Sequence, residues 1–139
     1  MMQNKGLNAY RQTEAQSRTP LELVVMLYDG ALRFLAVAHD AVQRRDIPAR
    51  RDAISRALAI ISELQSTLDL ERGGVVAADL DNLYAYITKR VMEAAAKNDT
   101  APLDDARRLL ETLRDAWQTI AVSPAAAADA AAGLRAGTR

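Results

Sequence analysis

No cysteine occurs among the 139 residues, which excludes a disulfide framework and a thiolate zinc site. Histidine is nearly absent too: His39 is the only one, so no cluster of imidazoles can hold a metal. Eighteen basic residues balance eighteen acidic ones, and without net charge no overall field draws the chain to nucleic acid. Charges break every apolar stretch before the ~20 residues needed to span a bilayer, so no membrane insertion is expected. The N-terminal residues show no basic region leading into an apolar core, so no secretory signal is expected and the cytoplasm is the expected compartment. Aromatics make up only 4% of the chain although half of it is hydrophobic. The apolar content is mostly Ala and Leu, good helix formers. Six glycines and four prolines leave long stretches free of breakers.

Those stretches carry helical periodicity. Thr19-Pro20-Leu21-Glu22 reads as a capping box with proline in the first turn, and it opens a helix predicted over residues 20–44. Glu22, Asp29, Arg33, Asp40 and Arg44 fall on one narrow strip. The remainder is apolar over roughly 200°, about twice the stripe one core requires. A second helix is predicted over 48–70 with an apolar arc of roughly 160°. Arg72-Gly73-Gly74 is a break. A third helix, 75–96, has an arc near the ordinary ~100°, which places Tyr86 outside it. Asn98-Asp99 ends that helix. Thr100 or the residues after it open a fourth, with Leu103, Ala106, Leu110 and Trp117 on its buried stripe. Short connections between long helices imply an all-α antiparallel four-helix bundle over residues 19–121. Residues 1–18 form an N-terminal arm, polar apart from a few residues such as Leu7 and Tyr10. Residues 122–139, with eight alanines, form a tail expected to be mobile.

Catalytic chemistry has little to stand on. His39 lies at the border of an apolar arc, where a structural role is the default. No Glu-x-x-His pair points to a di-metal bundle, and Gly73-Gly74 lacks the rest of a phosphate loop. Asp104 and Asp105 are accounted for as acids in a first helical turn. The basic clusters Arg44-Arg45, Arg50-Arg51 and Arg107-Arg108 come without interleaved aromatics, so no nucleic acid, cofactor or metal is expected and the chain is not read as an enzyme. What remains is surplus apolar surface on the first two helices. It serves either as the interior of a bundle or as grooves for a partner's amphipathic helix, and periodicity alone does not choose.

A resemblance does. Thr19-Pro20 followed by Leu27-Tyr28-Asp29-Gly30-Ala31 is similar to the first long helix of the flagellin-specific secretion chaperones, the FliS family. Ile60-Ile61-x-Glu63-Leu64 with Leu68-Asp69 resembles the end of the family's second helix, and Leu80-x-x-Leu83-Tyr84-x-Tyr86 the start of its third. Lys97-Asn98-Asp99 and Asp115-Ala116-Trp117 match its last turn and helix. The blocks run in order over about residues 7–120. Two positions depart from the family pattern: Ala85 stands where Asp is usual, and Asp79 where Asn is common.

The resemblance implies a cytoplasmic chaperone that binds the disordered C-terminal region of flagellin in apolar grooves. It would prevent premature polymerisation and help deliver the subunit to the flagellar type III export apparatus, with no catalysis of its own. It leaves open whether the export gate and flagellar regulators are also partners. Leu7 and Tyr10 match an apolar residue and a tyrosine of the family's arm implicated in client binding. Leu27, Tyr28, Gly30 and Ala31 lie in the strongest block. Ile54, Leu58 and Ile61 on the second helix and Tyr86 and Val91 on the third are candidate groove walls. Each has a plainer reading: Tyr28 as packing with its hydroxyl at the margin, Asp29 as an ion pair with Arg33, Gly30 as a site of close helix approach. The alternative function is a helical regulatory or assembly module whose first-helix surface makes a homo-oligomer.

Overall fold

The computed structural model describes residues 19–122, and four helices account for nearly all of them: α1 (Pro20–Arg44), α2 (Ile47–Ser66), α3 (Leu70–Lys97) and α4 (Ala101–Ala121). Residues 1–18, including Leu7 and Tyr10, and 123–139 lie outside the described residues. The α1 capping box forms as its sequence demands. Thr19 Oγ1 accepts from the Glu22 amide at 3.1 Å, and Glu22 Oε1 accepts from the Thr19 amide at 2.9 Å. Arg45, in the left-handed region at φ 57°, ends α1, and the next residue, Asp46, caps α2 through the Ala49 amide. At the far turn Asn98 adopts φ 50° and Asp99 accepts from the Ala101 amide at 3.0 Å. Such turns leave no slack, so successive helices reverse direction.

Polar contacts across the seams report that reversal directly. Asp29 reaches Arg114 at 2.8 Å and His39 reaches Asp104 at 3.2 Å, so α1 and α4 run antiparallel. Arg50 to Asn98 and Gln65 to Asp81 do the same for α2 and α3. Each helix packs on its two neighbours around the ring, giving the expected antiparallel four-helix bundle. Leu21, Val24, Ala31, Leu35, Ile61, Leu64, Ile87, Val91, Leu103 and Leu110 fill its core. No helix among the described residues is long and apolar enough to cross a membrane.

The α2–α3 junction differs from expectation. α2 stops at Ser66, and the Thr67 hydroxyl and amide both return to the Leu64 carbonyl. Leu68 is buried in the turn, and Asp69 caps a new helical turn through the Arg72 amide at 3.0 Å. Helix therefore resumes at Leu70, five residues before the predicted start. Of the two glycines only Gly74 interrupts it, with φ 55° and ψ −132°. That conformation carries little penalty only for glycine, so Gly74 is the hinge between the first turn and the long body of α3.

Two contacts set the internal geometry. Gly30 of α1 faces Ile60 of α2 so closely that a Cβ there would sit 3.1 Å from Ile60 Cδ1. The missing side chain lets these helices approach, and the close approach is within the bundle. Tyr28 is fully buried, not marginal. Its hydroxyl bonds that of Tyr84 on α3, the helix diagonally opposite, and accepts from the Trp117 indole N–H of α4 at 3.2 Å. Burial, then the neighbouring Tyr84, pushes the Tyr28 phenol well above its ordinary pKa; burial likewise raises Tyr84.

Tyr28→Phe removes the shared partner and leaves the buried Tyr84 hydroxyl unpaired, at an expected cost of ~1–3 kcal/mol in urea unfolding. A loss indistinguishable from zero would contradict this account. The pH dependence has a definite sign. The folded state keeps both phenols protonated, so their contribution is intact below about pH 10, the unfolded value, and is lost as pH rises beyond it towards the folded values. The alkaline fall in urea midpoint should be shallower in the Tyr28→Phe/Tyr84→Phe variant. Gly30→Ala gains ~1 kcal/mol of helix propensity against a tight contact with a side-chain tip that can turn aside. It is expected to fold with stability close to the parent by thermal melt, whereas Gly30→Leu should be strongly destabilised.

Candidate functional site

Most of the wide apolar arc of α1 is consumed by the bundle, with Met26 and Val37 left exposed. Tyr28 and Ala31 are buried, as is Gly30, and Leu27 is half-buried and packed against the core. Ile54 and Ile61 on α2 and Val91 on α3 are also interior, so in this conformation they underlie the surface. Leu58 is half-buried beside the core. It lies one heptad before Gln65, on the flank that Gln65 presents to Asp81 of α3. Of the sequence-selected candidates among the described residues, only Tyr86 is exposed, at 46%.

The surplus apolar surface lies on α3, whose apolar stripe looked ordinary in the sequence. Val75 and Met92 are exposed by 76% and 56%. Ala78, Ala85 and Ala96 lie on the same outer side. An open, shallow depression follows this side, lined by Ala85, Thr88, Lys89, Met92, Glu93 and Ala96. Its signal was present in the sequence: Ala78, Ala85 and Met92 recur at seven-residue steps on the side opposite the core stripe. A search for core periodicity passes over it because the residues are small and the stripe is interrupted by Asn82 and Lys89.

Tyr86 is held in place. Its hydroxyl donates to Asp105 Oδ2 at 2.8 Å, and the same carboxylate accepts from Arg90 Nε at 2.9 Å and from Arg108 at 3.2 Å. Arg90 also binds Glu93 at 3.0 Å. The hydrogen bond from Tyr86, followed by those from the two arginines, keeps the Asp105 carboxyl below the usual carboxylate range; the same contact raises the Tyr86 phenol. Asp104 and Asp105 therefore do more than neutralise a helix end: one meets His39 and the other ties α4 to α3. Asp29 bonds Arg114 across the α1–α4 seam. The local partner proposed for it, Arg33, instead lies over the Phe34 ring at 5.9 Å, with Arg56 of α2 also over that ring at 5.8 Å. Trp117 is half-buried at the core's edge, its indole directed to Tyr28. Among the described residues no group of three or more His, Asp or Glu side chains is placed to hold a metal ion. The arrangement offers an exposed strip of small and apolar residues along α3, with Lys89 and Glu93 at the depression and Tyr86 anchored on the flank towards α4.

Comparison with known proteins gives the family. The family model described as flagellar protein FliS matches residues 2–124. The flagellar secretion chaperone FliSB of Pseudomonas aeruginosa is 37% identical over 120 residues, covering 84% of this chain and 95% of the relative. The flagellar secretion chaperone FliS of Salmonella typhimurium is 34% identical over 120 residues, covering 83% and 89%. That of Bacillus subtilis is 34% identical over 110 residues, covering 79% and 81%. All are named as chaperones and none as an enzyme. With a match across the whole bundle, this chain belongs to the FliS family of flagellar secretion chaperones.

Proposed function

We propose that this chaperone acts in the cytoplasm by holding the C-terminal segment of flagellin along the outer side of α3 and its flank towards α2. The observation that supports the reading is the exposure of Ala85 and Met92 along the outer side of α3, with Tyr86 exposed and anchored on the flank towards α4, in a chain whose relatives are flagellar secretion chaperones. Leu58 rims the same flank. Ile54, Ile61 and Val91 form the packed floor beneath it. Tyr28, Gly30 and Ala31 keep α1 seated so that the floor stays rigid, and Leu27 is a secondary contact at the α1 margin. Leu7 and Tyr10, in the arm, close over the client.

The energetics suit the task. A disordered segment that becomes helical on binding forfeits ~2–5 kcal/mol or more in ordering, and contact along several turns of α3 offsets it. The face is shallow, so the client is held by many moderate contacts and can be released to the export apparatus. Shielding the client's apolar stripe while bound prevents polymerisation. Direct engagement of the export gate or of flagellar regulators is a further part of this proposal and would use surface left free by the client.

Calorimetric titration with a flagellin C-terminal peptide, read together with helicity, tests the reading. Saturable one-to-one binding is expected, with a gain in helix and a negative heat-capacity change. Ala85→Arg and Met92→Lys should each weaken binding by ~tenfold or more, equal to ~1.4 kcal/mol, without altering the melting of these exposed positions. Leu7→Ala with Tyr10→Ala should also weaken it. Unchanged affinity in the two α3 variants would remove the client from this face, and unchanged affinity in the arm variant would remove the arm's role.

A further inference from the structure

The two ends of the bundle carry their charges unequally. The α1–α2 and α3–α4 turns meet at one end, where Arg50 Nη1 in the first turn of α2 donates to Asn98 Oδ1 at 2.7 Å. Arg45, Arg51 and Lys97 stand exposed around that contact. None of these three side chains has a hydrogen-bond or ion-pair partner among the described residues. Arg50 meets no carboxylate there either, and its Nε is buried without an acceptor. The acids of the same end are already engaged. Asp46 caps α2 through the Ala49 amide and accepts from Arg44, which also holds Asp40. Asp99 accepts from the Ala101 amide, and Asp52 pairs with Arg56 at 3.0 Å.

Local folding accounts for only part of this cluster. Lys97 lies in the last turn of α3, where the helix dipole favours a cation. Arg50 in the first turn of α2 and Arg51 just beyond it run against the same preference, and no acid stands in that turn. A local rule broken without a compensating contact marks a surface kept for something else. Ile47, at the start of α2 between these cations, is exposed by 48%. At the opposite end, around the α2–α3 turn, Glu63 and Glu71 are exposed beside Arg72. The net charge of the whole chain is zero, so placement and not total charge distinguishes the cationic end.

We propose that this end of the bundle docks an acidic segment of a partner protein, whose carboxylates pair with Arg45, Arg51 and Lys97 and whose apolar side chain covers Ile47. Arginine forks match carboxylates bidentately, and charge complementarity of this kind sets register and speeds encounter. The interspersed Asp46, Asp52 and Asp99 favour a peptide, which can space its carboxylates to avoid them, over the continuous charge of a phosphate backbone. A bilayer surface is also a poorer fit. Ile47 stands without the aromatic residues or the wide apolar face that interfacial binding uses. The patch lies past Ala96, the last residue lining the α3 depression, so the docking does not rest on the flagellin reading.

Fluorescence anisotropy reads the docking. The probe is a labelled dodecapeptide with glutamate at alternate positions and one central leucine, titrated with the full chain at low salt. Saturable binding is expected, and it should weaken as salt is raised. Arg51→Glu and Lys97→Glu should each weaken it by ~tenfold. Arg72→Glu makes the same change of net charge at the other end and should leave affinity unchanged. All three positions are exposed, and circular dichroism of each variant should match the parent. A peptide with lysine in place of glutamate should not bind. No saturable binding by the parent, or a loss in Arg72→Glu equal to that in the other two, would overturn the proposal. Phosphatidylserine vesicles that bind the chain when the acidic peptide does not would overturn it too, and would assign the cations to a membrane surface.

Discussion

The hydroxyl bond between Tyr28 and Tyr84 joins α1 and α3, one of the two diagonal pairs of the ring, and the rest of the bundle is arranged so that it can form. Two buried phenol oxygens without partners would cost ~1–3 kcal/mol each, so α1 and α3 can settle only in the register that brings the hydroxyls together. Apolar side chains of equal volume would fill the same space but tolerate sliding. The Trp117 indole donates to the Tyr28 oxygen and extends the constraint to α4. One residue further along α1, Asp29 meets Arg114, so the register imposed in the core is repeated at the edge. α2 is fitted from the other side, where Gly30 permits Ile60 to approach.

This constraint determines which surface is left over. With α1 pinned diagonally to α3 and seated between α2 and α4, most of its broad apolar arc becomes interior, and only Met26 and Val37 among its large apolar side chains stay exposed. α3 is pinned by the same tyrosine, and its core stripe is fully used by Tyr84, Ile87, Val91 and Ala94. Among the described residues the opposite side of α3 packs against no other helix. Valine, methionine and alanine there do not assist the folding of the isolated chain. They form an exposed apolar strip, the kind of surface on which a functional contact is expected.

Much of this architecture was legible in residue order. Thr19 with Glu22, Asp46 before Pro48 and Asn98-Asp99 are local signals, and local hydrogen bonds decide them, so the helix ends near them are where the residues indicate. Periodicity also identified the buried stripes of α3 and α4. It could not identify partners. The Asp29 pairing with Arg114 spans 85 positions, and nothing in the i,i+4 spacing to Arg33 distinguishes an ion pair within one helix from one across a seam. Nor could arc width separate core from groove, because a helix with two close neighbours and a diagonal contact needs as much apolar surface as one that binds a client. That is why Ile54, Ile61 and Val91 read as walls but lie inside, while Met92 was passed over. Leu70–Gly73 reads as the end of α2 and the break for a similar reason: two glycines together suggest a break, yet only Gly74 requires a left-handed backbone.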